Sequence, residues 1–322
     1  MTATRHTGSV VVQRTPPELF FVGSAVFHYL GPAFAVLLFA RVEPLGVAWL
    51  RVLSAGAVFA VWRRPWKPWA AASHTERRTI EVWGVLLALM NASFYLAIDR
   101  LPLGTVAAIE FAGPVLLAAA GVRRRRNLFA LLLAVAGVAT LAEVTLEGSP
   151  VGFAFALVNM TLFTGYVVVA HRVSRQEQLA GIDGLAAAML VAAVVALPIG
   201  ALDAAPAFAD PIAMGAAIGI GVTSSVIPYV FDQLAMRRLA RATYAMMVAL
   251  LPATATVVGI LVLTQIPTAI DLIGVGLIVL AVGVHHDRQG PDPQPASAPG
   301  SVIPGSRRRR GAETPSDGGT QA

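Results

Sequence analysis

The feature that most constrains the fold is a series of long apolar stretches. Each runs for about 18 to 23 residues, which is enough for an α-helix to cross the hydrocarbon core of a bilayer. The 322-residue chain is 56% hydrophobic and 13% charged, whereas a soluble domain has about 25% charged residues. An outer-membrane barrel would show short segments of alternating polarity instead. The pattern therefore predicts an all-α, polytopic membrane protein.

Ten transmembrane helices are predicted from these stretches. The connections between them are short, and the longest, 63–79, carries five basic residues. The first stretch exceeds the core of about 7–15 residues that a signal peptide has, so we interpret it as a retained first span. The predicted spans cover residues 18–40, 44–62, 80–98, 103–122, 127–144, 151–171, 183–202, 212–232, 242–264 and 269–286.

The basic residues indicate the orientation. With the N-terminus in the cytoplasm, 21 of the 24 Lys and Arg residues fall in cytoplasmic segments, while the outer connections carry acids such as Glu43, Asp99 and Asp210. The positive-inside rule then predicts an even number of spans with both termini cytoplasmic. The runs of four arginines at 123–126 and 307–310 fit a stop-transfer or lipid-facing role better than a nucleic-acid patch.

A weak internal repeat divides the chain. Residues 97–101 (AIDRL) line up with 235–239 (AMRRL) at an offset of 138 residues, which also pairs Pro114 with Pro252. Two halves of five spans each must be inverted relative to one another, as in many secondary transporters. We predict a cytoplasmic N-terminal segment over 1–17, a first five-helix repeat over 18–146, a second over 147–286, and a disordered cytoplasmic tail over 287–322.

One carboxylate, Glu110, lies in the middle of the predicted fourth span, ahead of Gly113 and Pro114. A charge at that depth costs at least roughly 2.5–3.5 kcal/mol on insertion scales. We therefore interpret Glu110 as a group that faces a cavity and binds substrate. Burial disfavours the charged form of a carboxylate, so we also expect Glu110 to exchange a proton. The structural alternative is a buried ion pair that holds two helices together.

Arg51, in the second span, is the next candidate. An unpaired buried charge is expensive, so Arg51 and Glu110 are expected to pair inside the bundle; alternatively Arg51 snorkels to the interface. In the third span Asn91 and Tyr95 are four residues apart and share one helix face. They are predicted to contact substrate, although helix–helix hydrogen bonding is the common role of such residues.

The eighth span carries further polar groups. Tyr229 falls on Asn91 at the 138-residue offset, so both halves present a polar group at matching depth. Pro228 removes a backbone hydrogen bond and frees a carbonyl group for a cavity. Asp232 lies near the cytoplasmic end of this span, where an interfacial or gate role and a binding or proton-coupling role both fit.

The first and sixth spans also have a polar side, which includes His28 and Asn159. His28 precedes Gly31 and Pro32, which predicts a broken helix that faces the interior and places His28 at the substrate. A histidine satisfied within the core is the alternative.

Motifs of other protein classes are missing from the sequence. No cysteine is present, which excludes disulfides and a catalytic thiol. The chain has no GxxxxGK[ST], HExxH or GxSxG motif, so we predict neither a built-in ATPase nor an enzyme, and no metal or cofactor. A membrane-embedded enzyme would need a polar cluster at one membrane face, and a sensory scaffold would need a soluble output domain. The sequence predicts no particular oligomeric state.

Several short motifs resemble one known family. The sequences MNxxFYL at 90–96, LPLG at 101–104, IEFxGP at 109–114 and SxxPY at 225–229 are similar to the threonine/homoserine exporter branch of the EamA-type drug/metabolite transporter superfamily. The resemblance covers roughly 18–286. It implies an inner-membrane exporter that moves small amino acids or related metabolites by alternating access, coupled to protons. An exporter of lipophilic or cationic drugs is the alternative within that superfamily.

The same resemblance assigns roles to positions. Arg51 and Glu110 match family positions in the second and fourth spans, and Asp232 stands where the branch has an acidic residue. Two acids of the family pattern are replaced: Leu251 precedes Pro252 where the family often has Glu, and Gln265 stands in place of Glu. These departures leave Glu110 as the main intramembrane carboxylate.

Overall fold

The computed structural model describes residues 16–121, 125–173, 181–236 and 250–285. All regular structure in these ranges is helical, and they contain no β-strand, so the all-α prediction is confirmed there. The predicted tail over 287–322, most of the N-terminal segment and residues 242–249 of the predicted ninth span lie outside the described residues.

Thirteen α-helices and one π-helical turn follow each other within these ranges. The π-helical turn Val222–Val226 separates α10 from α11. In chain order the α-helices are α1 (Pro17–Leu38), α2 (Pro44–Arg63), α3 (Trp66–Ala71), α4 (His74–Ile98), α5 (Leu103–Gly121), α6 (Arg125–Gly148), α7 (Pro150–Val173), α8 (Gly181–Gly200), α9 (Ala205–Ala209), α10 (Pro211–Gly221), α11 (Ile227–Met236), α12 (Leu251–Leu263) and α13 (Ala269–His285).

Six described segments are long and apolar enough to cross a membrane, which agrees with a polytopic membrane protein. They are α1, α2, α4, α7, α8 and the composite segment Pro211–Phe231; α12 and α13 are shorter apolar helices. A helix lies in each of the ten predicted ranges, with α12 occupying the described part of the ninth. The short helices α3 and α9 were not predicted, because they lie in segments that the sequence suggested were connections.

Local chemistry explains where several helices begin and end. Ser73 and Glu76 form a capping box, so α4 begins six residues before the predicted boundary at residue 80. The Asp210 carboxylate accepts hydrogen bonds from the backbone N–H groups of Ile212 and Ala213, which caps α10. Arg64, with φ of 50°, ends α2 in the left-handed conformation.

The expected break of the first helix was wrong. α1 continues through Pro32 and is not broken there; the proline removes one hydrogen bond, which the flanking turns and packing tolerate. The eighth predicted span contains a π-helical turn that begins four residues after Ile218, a feature that the sequence did not predict. Such turns often occur at functional sites.

The helices pack into one bundle around α1, α2, α4, α5, α7 and α8. α2 packs against α8, α4 packs against α7 and α8, and α5 packs against α7, α12 and α13. α1 contacts the π-helical turn, α11 and α12. Small residues allow the closest approaches: a Cβ atom on Gly113 would collide with Thr164 and Met160 of α7. This packing brings α5, with Glu110, into the centre of the bundle.

Candidate functional site

Seven helices enclose a cavity in the middle of the bundle. Its empty space is about 540 Å³, openings to solvent included. Six of the seven residues predicted to bind substrate line it, namely His28, Arg51, Asn91, Glu110, Asn159 and Tyr229. The seventh, Tyr95, is fully buried beneath Arg51, whose Cζ lies 5.7 Å from the centre of the Tyr95 ring. The structure therefore brings the predicted residues together.

Glu110 is held by α7 from the second half of the chain. Its side chain is buried, and Oε2 accepts a hydrogen bond of 2.7 Å from Asn159 Nδ2. Every residue from 103 to 113 of α5 is buried, so the helix that carries the carboxylate is shielded from lipid along its first half. The carboxylate therefore faces protein and the cavity, as predicted.

Arg51 is also buried and is held by the π-helical turn. Nε donates to Ser225 Oγ at 3.3 Å, and Nη2 donates to the Ser224 carbonyl oxygen at 3.3 Å. The side chain is 9% exposed. Snorkelling of Arg51 to the interface, one of the two expectations for this residue, is therefore wrong.

The expected ion pair between Arg51 and Glu110 is also absent. No nitrogen of Arg51 lies within 4.0 Å of the Glu110 carboxylate, and neither residue takes part in the salt bridges of the described ranges. Each charge is hydrogen-bonded to neutral groups instead: Arg51 to Ser224 and Ser225, and Glu110 to Asn159. Arg51, Glu110 and His28 all line the same cavity. Two opposite charges thus face one cavity without neutralising each other by contact.

A proline follows two cavity residues and Ser224, which contacts Arg51, at the same spacing. His28, Glu110 and Ser224 are followed four positions later by Pro32, Pro114 and Pro228. An α-helix normally satisfies the carbonyl of residue i with the N–H of residue i+4, and proline has none. The Ser224 carbonyl oxygen accepts a hydrogen bond from Arg51 Nη2. The expectation that Pro228 frees a carbonyl for the cavity agrees with this contact.

Several buried polar atoms have no hydrogen-bond partner among the described residues. Near the cavity they include the hydroxyls of Tyr29 and Tyr95, Asn159 Oδ1 and Ser224 Oγ. Buried polar groups are normally satisfied, so such atoms mark places where a ligand or water completes the bonding. Tyr29 and Glu110 line the same cavity.

The other predicted residues have mixed surroundings. Asn91 lines the cavity, but its Nδ2 donates to the Leu87 carbonyl oxygen of its own helix at 2.8 Å. The Tyr229 hydroxyl lies 3.2 Å from that of Tyr166. His28 packs edge-on against Tyr29, with ring centres 5.2 Å apart. Asp232 belongs to α11, but its side chain lies outside the described residues.

Met189, Phe163 and Tyr166 also line the cavity. Sequence reasoning placed Tyr166 on the polar side of the sixth span without listing it as a binding residue, and it did not name Met189 or Phe163. The internal repeat carried a usable signal for two of them. At the 138-residue offset Met189 falls on Arg51 and Tyr166 falls on His28. Phe163 had no such signal. In the described part of the chain no group of three or more His, Asp or Glu residues is placed to hold a metal ion.

The helices and the charged internal cavity define a polytopic membrane protein of the transporter class. The sequence profile of the EamA-like transporter family matches residues 150–284. The threonine/homoserine exporter RhtA of Escherichia coli (strain K12) is 30% identical over 254 residues, which are 78% of this chain and 84% of RhtA. RhtA of Salmonella typhimurium (strain LT2) is 29% identical over the same length. The chain therefore belongs to the EamA-like transporter family, in the branch of RhtA.

A solved structure also resembles the fold. A protein crystal structure with 19% sequence identity aligns with 83% of this chain and 96% of its own, with a TM-score of 0.52. At that identity the likeness concerns the fold alone.

Proposed function

We propose that this protein is a secondary active exporter of small amino acids of the threonine/homoserine type, or of related metabolites. The observation that carries the proposal is the arrangement of Arg51 and Glu110, which face one cavity without forming an ion pair. A zwitterionic amino acid offers a carboxylate to the first and an ammonium group to the second. Its small polar side chain would meet Asn91, Asn159 or the tyrosine hydroxyls. The similarity to RhtA, described as a threonine/homoserine exporter, supports this substrate class.

The charge of Arg51 also argues against the alternative substrate class. A lipophilic cation in this cavity would be repelled by a buried guanidinium that has no carboxylate in contact with it. An amino acid supplies the missing anion. We therefore favour amino-acid export over export of cationic drugs.

The proposed mechanism is alternating access between two inverted five-helix repeats with ten spans. The packing supports this, because several helix contacts occur in related pairs. α4 packs against α7 as α11 packs against α1, and α5 packs against α7 as α12 packs against α1. The contacts α2–α8, α5–α12 and α6–α13 each join helices at equivalent positions of the two halves. The family profile match at 150–284 falls within the proposed second repeat, 147–286.

We propose that the protein lies in the cell inner membrane with both termini cytoplasmic, as the basic residues indicate. Contacts between connecting segments support the grouping of these segments into two sides. Arg41 and Asp210, both assigned to the outer side, form an ion pair of 2.7 Å. Gln265 accepts a hydrogen bond from the Leu103 N–H at 3.0 Å, again between two outer segments. On the cytoplasmic side, Arg63 pairs with Asp183 at 2.7 Å. The same-side assignments are therefore mutually consistent.

Proton coupling is proposed to reside at Glu110, with Asp232 as a second candidate. A carboxylate in a buried cavity is the kind of group that carries protons in membrane transporters. Release of the proton would let Glu110 attract the substrate ammonium group, and rebinding would favour substrate release. The Asn159 amide, at 2.7 Å, keeps the carboxylate oriented.

The test is efflux of L-threonine and L-homoserine from proteoliposomes at several pH values. We expect Glu110→Gln to abolish pH-dependent efflux while the protein still reconstitutes normally. Glu81→Gln makes the same change at an exposed position of α4 and serves as the control. Wild-type efflux by the Glu110→Gln variant would contradict the role of Glu110. Absence of any amino-acid efflux from the wild-type protein would contradict the proposed function, and metabolite profiles of overexpressing and deleted cells would then identify the substrate.

A further inference from the structure

We infer that the π-helical turn Val222–Val226 and Pro228 aim the Arg51 guanidinium at the carboxylate of the substrate, with Ser225 as the positioning residue. The inference rests on the proposed function, because it names the group by which the exporter distinguishes an amino acid from an uncharged analogue. It concerns how Arg51 is held and which of its N–H groups remain available.

The π-helical turn places two consecutive acceptors beside Arg51. At its end the Ile227 N–H bonds to the Val222 carbonyl oxygen, five residues back. This wider turn changes the direction of the groups that follow Val222. The Ser224 carbonyl and the Ser225 hydroxyl both meet the Arg51 guanidinium, each at 3.3 Å.

Pro228 keeps the first of these acceptors available. In a regular α-helix the N–H of residue 228 would bond to the carbonyl of residue 224. Proline has no N–H, so that bond cannot form, and the Ser224 carbonyl accepts from Arg51 Nη2. The irregular turn and the proline thus act on the same carbonyl oxygen.

The remaining donors of Arg51 fit a carboxylate. A guanidinium has five N–H groups in a rigid fork, and the turn uses one on Nε and one on Nη2. No hydrogen bond among the described residues uses Nη1, although the buried Tyr95 hydroxyl lies near the guanidinium, so the edge formed by Nη1 and Nη2 keeps N–H groups for a ligand. Arg51 lines the cavity, and this edge matches the bidentate geometry by which arginine binds carboxylates.

Two glycines hold the turn between α1 and α2. A Cβ atom on Gly31 of α1 would collide with the Ser224 side chain, and one on Gly221 would collide with Ser54 of α2. The turn is therefore packed closely on both sides. A group held in place before binding loses less entropy when the ligand arrives, so a fixed turn raises the affinity of Arg51 for its ligand.

Thr223 provides a matched control within the same turn. Its Oγ1 donates to the Gly219 carbonyl oxygen at 2.8 Å and to that of Ile220 at 3.3 Å, both in its own helix. Thr223→Ala therefore removes a hydroxyl from the turn without touching Arg51, whereas Ser225→Ala removes the hydroxyl that Arg51 bonds.

The experiment measures binding to the purified full-length protein by the rise in its unfolding temperature. L-threonine and L-threoninamide are compared, because the amide keeps the ammonium and hydroxyl groups but lacks the carboxylate. We expect the wild-type protein and Thr223→Ala to prefer threonine. In Ser225→Ala the apparent Kd for threonine should rise about tenfold, the effect of losing one hydrogen bond to a charged group, while the Kd for the amide stays unchanged.

Pro228→Ala is a second, independent variant. It supplies a backbone N–H that competes with Arg51 for the Ser224 carbonyl, so threonine affinity should fall although the ligand-free protein unfolds at the same or a higher temperature. Unchanged threonine affinity in both variants, or equal weakening for threonine and its amide, would overturn the inference. Threonine export by wild-type proteoliposomes is measured separately: if export is absent but Ser225-dependent preference for the carboxylate persists, the proposed function fails and the inference on Arg51 stands.

Discussion

α4 and the composite helix over residues 211–236 lie at corresponding places of the 138-residue offset, yet only the second is irregular. α4 is α-helical throughout, whereas a π-helical turn divides α10 from α11. At the offset, Ser224, Ser225 and Pro228 correspond to Leu86, Leu87 and Met90. The first half therefore has neither the hydroxyl nor the freed carbonyl that the second half offers to Arg51.

In the proposed two-repeat arrangement, the two parts of the chain contribute different groups to the cavity. Arg51 and Glu110, the two charges that face the cavity, come from the first half of the chain. Their hydrogen-bond partners, Ser224, Ser225 and Asn159, come from the second. Each charge is thus bonded across the two halves. A movement of one half relative to the other would change the partners of both charges at once, which is what substrate release by alternating access requires.

Moving the positive charge between the halves should have the largest effect. Arg51→Met should lower L-threonine efflux from proteoliposomes at least tenfold, because a charged hydrogen-bonding group contributes about 1.5–3 kcal/mol. Adding Met189→Arg, which places arginine at the equivalent position, should not restore efflux, since Leu87 and Met90 offer it no acceptor. Efflux is normalised to the amount of reconstituted protein.

Recovery of efflux in the double variant would show that the irregular turn is dispensable. Equal reconstitution of both variants is the necessary control, because a buried arginine without partners destabilises a protein. A double variant that does not reconstitute leaves the single Arg51→Met measurement to decide whether the charge is needed.

The fold class was predictable because hydrophobic length alone specifies a membrane helix. The residues at which individual helices begin and end were harder to predict. The start of α4 is set by the capping box of Ser73 and Glu76 rather than by hydropathy, which begins only near residue 80. The π-helical turn had a partial signal in Pro228 and the adjacent serines. However, the change of hydrogen-bond register depends on packing against α1 and α2, which no local pattern records.

Six of the seven residues predicted to bind substrate line one cavity, but the predicted ion pair between Arg51 and Glu110 was wrong. Intramembrane polar residues point to cavities because lipid exposure is costly, and this reasoning found Glu110, Arg51 and Asn159. The inference that opposite buried charges must touch failed, because neutral amides, hydroxyls and carbonyls can satisfy a charge equally well. Which partner each charge takes depends on helix rotation, and the sequence alone does not give that angle.

Substitution of Gly31 should have an intermediate effect, on stability. Gly31→Ala places a methyl group against the Ser224 side chain, and such overpacking typically costs about 1–3 kcal/mol. We expect a lower unfolding temperature together with weaker threonine binding, because Ser224 must move away from Arg51.

Gly219→Ala on α10 is the control: its added Cβ meets nothing within 4 Å, and the higher helix propensity of alanine should leave stability equal or slightly raised. Equal stability of both variants would contradict the close packing of α1 against the π-helical turn, because it would mean that Ser224 moves aside without cost.

The smallest effect is expected at the rim, by which we mean the solvent-exposed ion pair of Arg41 and Asp210. Like Arg51 in the cavity, Arg41 is a cation from the first half of the chain that is bound to an acceptor from the second half. The hydrogen bond from Arg41, aided by the backbone N–H of Ala213, holds the pKa of Asp210 below its ordinary value of 3.8. Because the folded-state pKa is the lower one, the contribution of this carboxylate to stability is complete above pH 3.8 and disappears as the pH falls through the folded-state pKa.

Asp210→Asn should therefore lower the unfolding temperature slightly at pH 7, and the difference from wild type should shrink under acid conditions. Asp203→Asn removes another acid of the same outer connection, one that forms no ion pair among the described residues, and serves as the control; its unfolding temperature at pH 7 should stay close to that of the wild type. The effect should stay small because exposed ion pairs are screened by water and salt. A loss as large as that of Gly31→Ala would mean that the rim pair, and not the buried charges alone, holds the two halves together.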